Sequence, residues 1–537
     1  MSRNLHTMRK QTKLVAVLSA ASLLAIGASM TAFAATPHWD QEDGEWVYLD
    51  RNGDKVAGEW KKSNGQWYYL DDDGYMAKDM LVEYNDNRYY VDANGVKVTN
   101  AWVSMDNDDY LDDEDVSTVW FYFDGNGKAV GYGKDEGAIK KINYGDGSVS
   151  GYFIFNTDGV MLSGWQEWDG NTYYLGDENQ GWALTGWQYL DTDDELFDGG
   201  DEDGDPYEDE EWFYFDSKGK AQKNKNKQIG GRWYAFDSNG VMLDLWVYGD
   251  GTPSAISNSN GSSSMAEATG DAAARYHEED NGWRDKNWVL AYANTDYDDY
   301  DEDMYWFYLN NKGVPTVADE NAGKGTDYSD NIDGDTVRTV VAKSIKNKTY
   351  IFDDAGRMRT GLFGLTDVKK GSSSMDNGYY YFTEEEGSTE GQMVTNKKMS
   401  IELDGEEKSY YFSKTGKAYT NTVISGSLYG TNGAMVTDFG DGSSYQMVAL
   451  SDILGDNGYF TEKGKSTKYV AAEDTYVLIN GNGKIKKSGT VTDVDGYKVT
   501  VKDYIVTLQQ DEDKNKVYEA EVVGTTEKSA KVIVNER

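Results

Sequence analysis

The sequence predicts an all-β protein: a solenoid of stacked short β-hairpin repeats with a divergent C-terminal β region. Three observations indicate this fold. A short aromatic motif recurs along the 537 residues, a glycine follows most copies at a fixed distance, and 59 Gly and 41 Tyr accompany only 4 Pro. Many glycine turns between short aromatic segments are typical of β-hairpins.

The recurring motif is a five-residue strand that ends, in most copies, in Asp or Asn. The first copies occupy Trp46–Asp50, Trp67–Asp71 and Arg88–Asp92, spaced 21 residues apart. Later copies begin at Trp120, Trp212, Trp233, Trp306, Thr349, Ser409 and Tyr476. One unit is too small to fold alone, so we expect neighbouring units to stack and bury their aromatic faces together.

A turn signal follows the strand motif. Asp, Asn or Ser stands three residues before a glycine, as in Asp50 and Gly53 or Asp71 and Gly74. A side-chain acceptor at the first position and glycine at the fourth are the preferences of a type I turn, in which glycine is free to take a positive φ. Each unit is therefore predicted to contain one or two hairpins.

A second tryptophan, here called the leading tryptophan, precedes the strand motif. Trp39 stands seven residues before Trp46, and Trp60 seven before Trp67. In three later units acidic insertions at residues 106–115, 191–211 and 296–303 separate the pair. All three insertions fall at the same point of the unit, so we expect them to project from equivalent hairpin tips.

The acidic insertions have two interpretations. The favoured one is a solvated, repulsive loop that keeps the protein soluble, because blocks of like charge are rarely ordered. The alternative is weak calcium binding, for which Asp201, Asp203 and Asp205 are the candidate ligands. Their match to a calcium-binding loop is poor, since Pro206 stands where that loop requires glycine. No other cofactor is predicted.

Composition divides the chain into five predicted segments. Residues 1–34 combine a basic start, an apolar stretch and an A-x-A site, the pattern of a secretory signal peptide. The remaining boundaries are N-terminal hairpin repeats with acidic loops at 35–248, a Ser/Gly/Asn-rich linker or insertion at 249–282, more divergent repeats at 283–440 and a C-terminal β region or cap at 441–537. A short helix is expected over residues 266–279.

Charge and residue usage exclude several function classes. The formal charge of −42 becomes −46 once the four basic residues of the signal peptide are removed, which argues against nucleic-acid binding and against membrane insertion of the mature chain. Cysteine is absent and only three histidines exist, which excludes thiol catalysis and disulfides. His277 has no nucleophile motif around it, and the common hydrolase and phosphate-binding motifs are missing. We therefore expect no enzyme activity.

The repeats resemble the choline-binding, or cell-wall-binding, repeats of Gram-positive bacteria, and they are similar to glucan-binding repeats. The resemblance is carried by Trp60, by Trp67–Asp71 with Gly74 and Met76, and by the segment Gly159–Trp165. It covers most of the chain from Trp39 to about Gly433. It implies a β-hairpin solenoid that holds a protein on choline-bearing teichoic acid or on a polysaccharide.

The resemblance also implies aromatic cages built from a leading tryptophan, a strand tryptophan and a tyrosine of the next hairpin, with a methionine nearby. Carried over by position, one cage comprises Trp60, Trp67, Met76 and either Tyr89 or Tyr90. The other candidates are Trp39 and Trp46 with Tyr68 or Tyr69, Trp102 with Trp120, and Trp187 with Trp212 and Tyr234. The same rings would fill a solenoid core whether or not a ligand binds.

These observations predict a secreted, extracellular repeat protein that adheres without covalent attachment to the cell wall. Several weak aromatic sites along one chain would give avidity far above any single site. Two alternatives remain open. The chain could bind a glucan or another polysaccharide, or it could be a surface structural protein or adhesin in which the repeats are only a spacer.

Overall fold

The computed structural model describes residues 36–107, 110–111, 116–144, 149–177, 179–192, 210–248, 254–255, 274–292, 304–328 and 336–534. The chain forms two compact units, Met1–Leu243 and Asp244–Arg537. Over the described ranges, both units consist of short β-strands apart from one helix, α1, at Leu450–Leu454. The predicted all-β class is confirmed. None of the helices in these ranges has the length and apolar character needed to cross a membrane.

The first unit contains seventeen short strands that pair mostly with their neighbour in sequence. The strands are β1 His38–Glu42, β2 Glu45–Leu49, β3 Glu59–Ser63, β4 Gln66–Leu70, β5 Met80–Tyr84, β6 Asn87–Val91, β7 Ala101–Asp106, β8 Thr118–Phe123, β9 Ala138–Tyr144, β10 Val149–Phe155, β11 Trp165–Trp168, β12 Asn171–Tyr174, β13 Gly186–Asp191, β14 Glu210–Phe215, β15 Lys225–Ile229, β16 Arg232–Phe236 and β17 Met242–Leu243. Consecutive strands form antiparallel two-stranded sheets, except that β17 adds to the β15–β16 hairpin.

The second unit begins with hairpins and continues into larger sheets. Its strands are β18 Leu245–Tyr248, β19 Ser254–Ala255, β20 Arg275–His277, β21 Asn287–Tyr292, β22 Met304–Leu309, β23 Gly323–Asp327, β24 Thr336–Ile345, β25 Lys348–Asp353, β26 Met358–Arg359, β27 Gly361–Thr366, β28 Lys369–Lys370, β29 Ser373–Ser374, β30 Gly378–Phe382, β31 Lys398–Leu403, β32 Glu406–Tyr411, β33 Thr422–Ile424, β34 Ser427–Tyr429, β35 Tyr445–Ala449, β36 Tyr459–Glu462, β37 Lys468–Val470, β38 Tyr476–Asn480, β39 Gly489–Thr492, β40 Lys498–Lys502, β41 Ile505–Gln510, β42 Lys516–Val523 and β43 Glu527–Val534.

The strand motif of β4 buries alternate residues, because successive side chains of a strand point to opposite faces. In β4, Tyr68 and Leu70 are buried, whereas Trp67 keeps 39% of its surface exposed. The facing strand β3 pairs antiparallel with β4, so that Trp60 lies opposite Tyr69. The alternation leaves the strand tryptophan at the surface and puts the following tyrosine into the core.

The predicted turns form as expected. At the turn after β6, the Oδ1 of Asp92 accepts the backbone N–H groups of Asn94 and Val96, both at 2.9 Å, and the Asp92 carbonyl accepts the N–H of Gly95 at 2.7 Å. Gly95 has a φ of 78°, and a Cβ there would stand 2.9 Å from the Sδ of Met76. Glycine is therefore required both by the backbone conformation and by the close approach of the preceding unit.

One backbone hydrogen bond repeats between successive units. The residue two positions after the turn glycine donates its N–H to the first carbonyl of the strand motif in the preceding unit. This bond joins Met76 to Trp46, Lys97 to Trp67, Ala129 to Arg88, Met161 to Trp120, Met393 to Thr349 and Met435 to Ser409, at 2.7–2.8 Å. Stacking of the hairpins is thus fixed by backbone pairing as well as by aromatic packing.

The acidic insertion at 296–303 and most of those at 106–115 and 191–211 lie outside the described residues, as does the signal peptide predicted at residues 1–34. The strands on either side of the insertions are described, and they pair as β7 with β8, β13 with β14 and β21 with β22. Each insertion therefore joins the two strands of one hairpin, which confirms the predicted equivalence of their positions.

The helix predicted over residues 266–279 is wrong for its last residues. Arg275–His277 forms β20, which pairs with β18 in the register Trp246 to Tyr276. Arg275 and His277 are 1% and 0% exposed, so this part of the segment expected to be a linker belongs to a core. The Tyr276 ring packs 5.1 Å from the Trp246 ring, and this contact favours a strand over a helix. Residues 266–273 lie outside the described ranges.

The C-terminal part of the second unit departs from simple hairpin stacking. A nine-stranded sheet has the order β34-β33-β36-β37-β43-β42-β41-β40-β39. Its core joins Val423 and Leu428 to Phe460, Val499 and Ile505. The sheet therefore includes strands on both sides of the boundary predicted at residue 440, and the position of that boundary stays a prediction.

Candidate aromatic cages

Seven hairpins share one aromatic pair. In each, the leading tryptophan lies directly across the hairpin from a tyrosine, with ring centroids 5.0–5.3 Å apart. The pairs are Trp39–Tyr48, Trp60–Tyr69, Trp102–Tyr122, Trp165–Tyr174, Trp187–Tyr214, Trp246–Tyr276 and Trp288–Tyr308. These tilted and edge-on contacts are the arrangements that aromatic rings prefer.

The next hairpin supplies a further ring to each leading tryptophan, with centroids 4.7–5.4 Å apart. The contacts are Trp39–Tyr68, Trp60–Tyr89, Trp102–Phe153, Trp165–Phe213, Trp187–Tyr234, Trp246–Phe307 and Trp288–Tyr350. Every leading tryptophan therefore sits between its own hairpin and the following one, as the resemblance implied.

The pairing register selects Tyr68 and Tyr89 over the adjacent candidates Tyr69 and Tyr90 for the first two cages. Trp39 packs on Tyr68, whereas Tyr69 belongs to the hairpin of Trp60. Trp60 likewise packs on Tyr89, and Tyr90 lies on the other face of its strand near Phe123. The reason is strand alternation, since adjacent residues cannot face the same neighbour.

Met76 also lies outside the cage that was predicted to contain it. Its N–H donates to the carbonyl of Trp46, which places it beside the first hairpin rather than beside Trp60 and Trp67. The equivalent residue at the second hairpin is Lys97, whose N–H donates to the carbonyl of Trp67. A lysine thus occupies the methionine position of the Trp60 cage.

The Lys97 ammonium lies among three rings. Its Nζ is 5.3 Å from the Trp60 ring centre, 5.6 Å from that of Trp67 and 5.4 Å from that of Tyr89. It also donates to the backbone carbonyl of Asn126 at 3.0 Å. Burial lowers the pKa of Lys97, and the nearby Asp124 carboxylate opposes that shift. Three of the rings named for the predicted Trp60 cage therefore lie around a cation of the chain itself.

The predicted cage of Trp187, Trp212 and Tyr234 is assembled in the first unit. Trp187 and Trp212 are perpendicular, with centroids 6.3 Å apart and an interplanar angle of 84°. Trp187 also lies 4.7 Å from Tyr234. Trp212 is 38% exposed, and the more exposed ring of Tyr189 lies 5.1 Å from it. We call these four rings the Trp187 cage.

The other two predicted pairs do not close in this way. In the described part of the chain, Trp39 makes no ring contact with Trp46, and Trp102 makes none with Trp120. Trp102 instead packs on Phe153 and Phe155, which are fully buried. The Trp102 site therefore resembles core packing more closely than an open cage.

A further cage lies in the second unit around Trp288 and Trp306. The acidic insertion at residues 296–303 separates these two tryptophans in the sequence. Their rings are perpendicular at 6.3 Å, and Tyr350 lies 4.9 Å from Trp288. Met358 stands at the position that corresponds to Lys97, two residues after a turn glycine, and it lines a cavity beside Trp306. A methionine two residues after a turn glycine is the sequence signal that could have identified Trp306 as a cage residue.

The sequence also raised His277 and three aspartates as residues that could serve catalysis or metal binding. His277 is fully buried, and its Nδ1 donates to the carbonyl of Gly282 at 2.9 Å. Asp201, Asp203 and Asp205 lie outside the described ranges. Within those ranges, no group of three or more His, Asp or Glu side chains is arranged to hold a metal ion.

Comparison with known families locates two kinds of repeat. The choline-binding repeat model matches residues 56–102, which include the Trp60 cage, and the putative cell wall binding repeat model matches residues 163–179 and 227–242. The resemblance to choline-binding repeats predicted from the sequence is confirmed at these residues.

One curated relative is Glucosyltransferase-S of Streptococcus mutans, 22% identical over 303 residues, which are 55% of this chain and 18% of the relative. Among solved structures, the modular autolysin LytC of Streptococcus pneumoniae matches with 18% identity, a TM-score of 0.31 and coverage of 60% of this chain and 52% of LytC. The choline-binding domain of CbpL from the same organism matches with 24% identity, a TM-score of 0.27 and coverage of 42% and 100%. The chain thus spans about half of LytC and under a fifth of Glucosyltransferase-S.

Proposed function

We propose that this protein is a secreted, non-catalytic binding protein that adheres to the bacterial cell wall through aromatic cages for choline. The observation that carries the proposal is the Trp187 cage, in which two perpendicular tryptophans and two tyrosines surround one surface position. The choline-binding repeat matches support the same ligand class. The leader-like residues 1–34 support secretion.

The chemistry of choline suits such a cage. A quaternary ammonium carries a permanent charge but no N–H, so it gains little from hydrogen-bond acceptors and much from ring faces. A desolvated cation–π contact is worth about 2 kcal/mol. Glu210 and Glu211 precede Trp212 on β14 and add a negative potential that attracts cations and is screened by salt.

A non-catalytic role is supported by the placement of His277, around which the sequence shows no nucleophile motif. His277 is buried against Gly282 and could not reach a substrate. Several cages on one chain would bind a polymer with many choline groups by avidity, without any chemical step. Such a protein needs ring faces at its surface and no general base.

The test is retention on a quaternary-amine matrix in high salt, followed by elution with free choline. High salt removes ion exchange, which a strongly acidic protein would otherwise show. Trp212→Ala should weaken retention without unfolding the chain, because Trp212 is 38% exposed. The matched control is Trp233→Ala on the next hairpin, 43% exposed, where Asn226 replaces the leading tryptophan and lies opposite Ala235.

Retention that choline elutes and that falls only in the Trp212 variant supports the proposal. Flow-through of the unmodified protein, or equal effects of the two substitutions, contradicts it.

A second candidate function is polysaccharide binding, favoured by the match to Glucosyltransferase-S over 55% of the chain. Exposed tryptophan faces can stack on sugar rings as well as on cations. Dextran retention that resists free choline would favour this candidate over the first.

A further inference from the structure

The second unit contains a cavity of about 590 Å³ beside Trp306. We call it the Trp306 pocket, and its main lining residues are Leu290, Met304, Trp306, Met358, Glu386 and Glu390. Leu290 and Met304 are 44% and 46% exposed and form part of the pocket wall. The pocket therefore combines apolar walls, an indole ring and carboxylates.

A fixed carboxylate distinguishes this pocket from the Trp187 cage. The Oε2 of Glu390 accepts a hydrogen bond from the Nε1 of Trp306 at 3.2 Å. Glu390 is partly buried, and the loop that carries it also brings Glu386 to the pocket. One oxygen acceptor is thus held at the edge of the indole ring.

The chain itself shows what its cages can hold when an acceptor is present. In the Trp60 cage the primary ammonium of Lys97 lies 5.3–5.6 Å from three ring centres and donates to the Asn126 carbonyl at 3.0 Å. A primary ammonium there uses the ring faces and a hydrogen-bond acceptor together.

From this parallel we infer that the Trp306 pocket binds primary ammonium groups in preference to quaternary ones. Its lining supplies the Trp306 indole ring and a fixed acceptor, as are found around Lys97, but the position of Lys97 is taken by the uncharged Met358. A cation from outside the chain therefore completes the site. Choline can use the ring alone, whereas a primary ammonium can also donate to Glu390.

The one cationic side chain that lines the pocket does not cancel this preference. Arg359 points its guanidinium to Asp327, with the Nη2 of Arg359 3.5 Å from the Oδ2 of Asp327. Asp327 is 5% exposed and its Oδ2 also lies 3.5 Å from the Nε of Arg338, so these three side chains together leave one positive charge against the two carboxylates of Glu386 and Glu390. The charges of Glu386 and Glu390 remain to favour a cation.

The inference rests on the proposed function in that both use aromatic cages, but it concerns a different cage and a different ligand. The probes are ethanolamine and choline, which share a hydroxyethyl chain and differ in methylation of the nitrogen. Calorimetric titration of the full chain at neutral pH measures both. We expect Glu390→Gln to weaken ethanolamine binding about tenfold, because the amide oxygen can still accept a hydrogen bond but no longer carries the charge that strengthens it.

The matched control is Glu384→Gln in the same loop, since Glu384 accepts the hydroxyl of Tyr381 at 2.7 Å and does not line the pocket. It should leave ethanolamine binding unchanged. Trp306→Phe offers a second variant that keeps a ring face and removes the N–H that holds Glu390. It should weaken ethanolamine more than choline, with near-UV circular dichroism verifying the fold.

Equal losses in the Glu390 and Glu384 variants would overturn the inference, and so would ethanolamine binding that ignores both substitutions. Choline retention at the Trp187 cage is measured on the same protein. If choline is retained and ethanolamine does not bind, the inference fails and the proposed function stands. If ethanolamine binds with the expected dependence on Glu390 and choline is not retained, the proposed function fails alone. Titrations with glucosamine and with Nα-acetyllysine then distinguish an amino sugar from a lysine side chain as the source of the amine.

Discussion

The ammonium nitrogen of Lys97 lies 5.3 Å from the centre of the Trp60 ring. Trp67 and Tyr89 complete the set of rings around it. A cage with the composition expected for an external cation is therefore filled from within by the next hairpin. The cage still stabilises the stack of hairpins, because the cation and the rings come from consecutive units.

Replacement of Lys97 by methionine should open this cage to choline. Lys97→Met restores the residue type found at the equivalent positions Met76 and Met161. We expect calorimetry to show one additional choline site in the variant. The control is Lys62→Met, because the Lys62 ammonium approaches only the Trp67 ring, at 5.7 Å. An unchanged number of choline sites in Lys97→Met would show that the cage collapses rather than opens.

The protonation of Lys97 should make stability depend on pH. Burial lowers the pKa of Lys97 in the folded state below its ordinary value of 10.5, so the unfolded chain binds this proton more tightly. Stability then rises with pH between the folded and unfolded pKa values, because the unfolded state carries more protons there. Urea unfolding of the wild type and of Lys97→Met should diverge in favour of the wild type as pH approaches 10.5. A difference that stays flat or falls contradicts the assignment.

The two tryptophans of the Trp187 cage should differ in their effect on stability. Trp187 is half-buried between Tyr214 and Tyr234, whereas Trp212 is 38% exposed. Trp187→Ala removes contacts to both hairpins and should lower the free energy of unfolding by about 3 kcal/mol. Trp212→Ala should change it by less than about 1 kcal/mol and act mainly on ligand retention. Similar losses in a denaturation experiment would show that both rings are core.

The aspartate of the turn should stabilise the hairpin through two hydrogen bonds. Asp92→Ala removes the acceptor for the N–H groups of Asn94 and Val96, and each bond contributes about 1 kcal/mol. We expect a loss of about 2 kcal/mol in chemical unfolding. Asp73→Ala, an exposed residue inside the preceding turn, is the control and should be near neutral. A loss of equal size in Asp73→Ala would assign the effect to net charge.

Local patterns predicted the hairpins because both the strands and their turns depend on residues close in sequence. The motif at Trp67–Asp71 and the turn glycine Gly74 identify β4 and its end correctly. The resemblance to choline-binding repeats implied that Trp187, Trp212 and Tyr234 form one site, and Trp187 does contact the other two rings.

The choice between adjacent tyrosines could not be made from sequence. Tyr68 and Tyr69 are chemically identical, and only the pairing register decides which one faces the preceding hairpin. The position of Met76 was misassigned for the same reason, since the bond from its N–H to Trp46 depends on how the units stack. A one-residue change of register reverses the face of every side chain in a strand.

The pairing of distant strands in the C-terminal sheet could not be predicted from the sequence either. Lys468 of β37 pairs in parallel with Glu527 of β43, and Thr422 of β33 pairs in parallel with Thr461 of β36. No local motif links these segments. Contacts between residues far apart in sequence depend on the packing of the whole region.

The bond from the residue after each turn to the strand of the preceding unit has an evolutionary consequence. Trp60, Tyr89 and Lys97 belong to two successive units, so a cage is a property of a junction and not of a single repeat. Duplication of one unit creates a new junction and so adds a cage without altering the existing ones. The residue at the position held by Lys97 or Met161 then decides whether an added junction stays open to a ligand or is filled by a side chain of the protein itself.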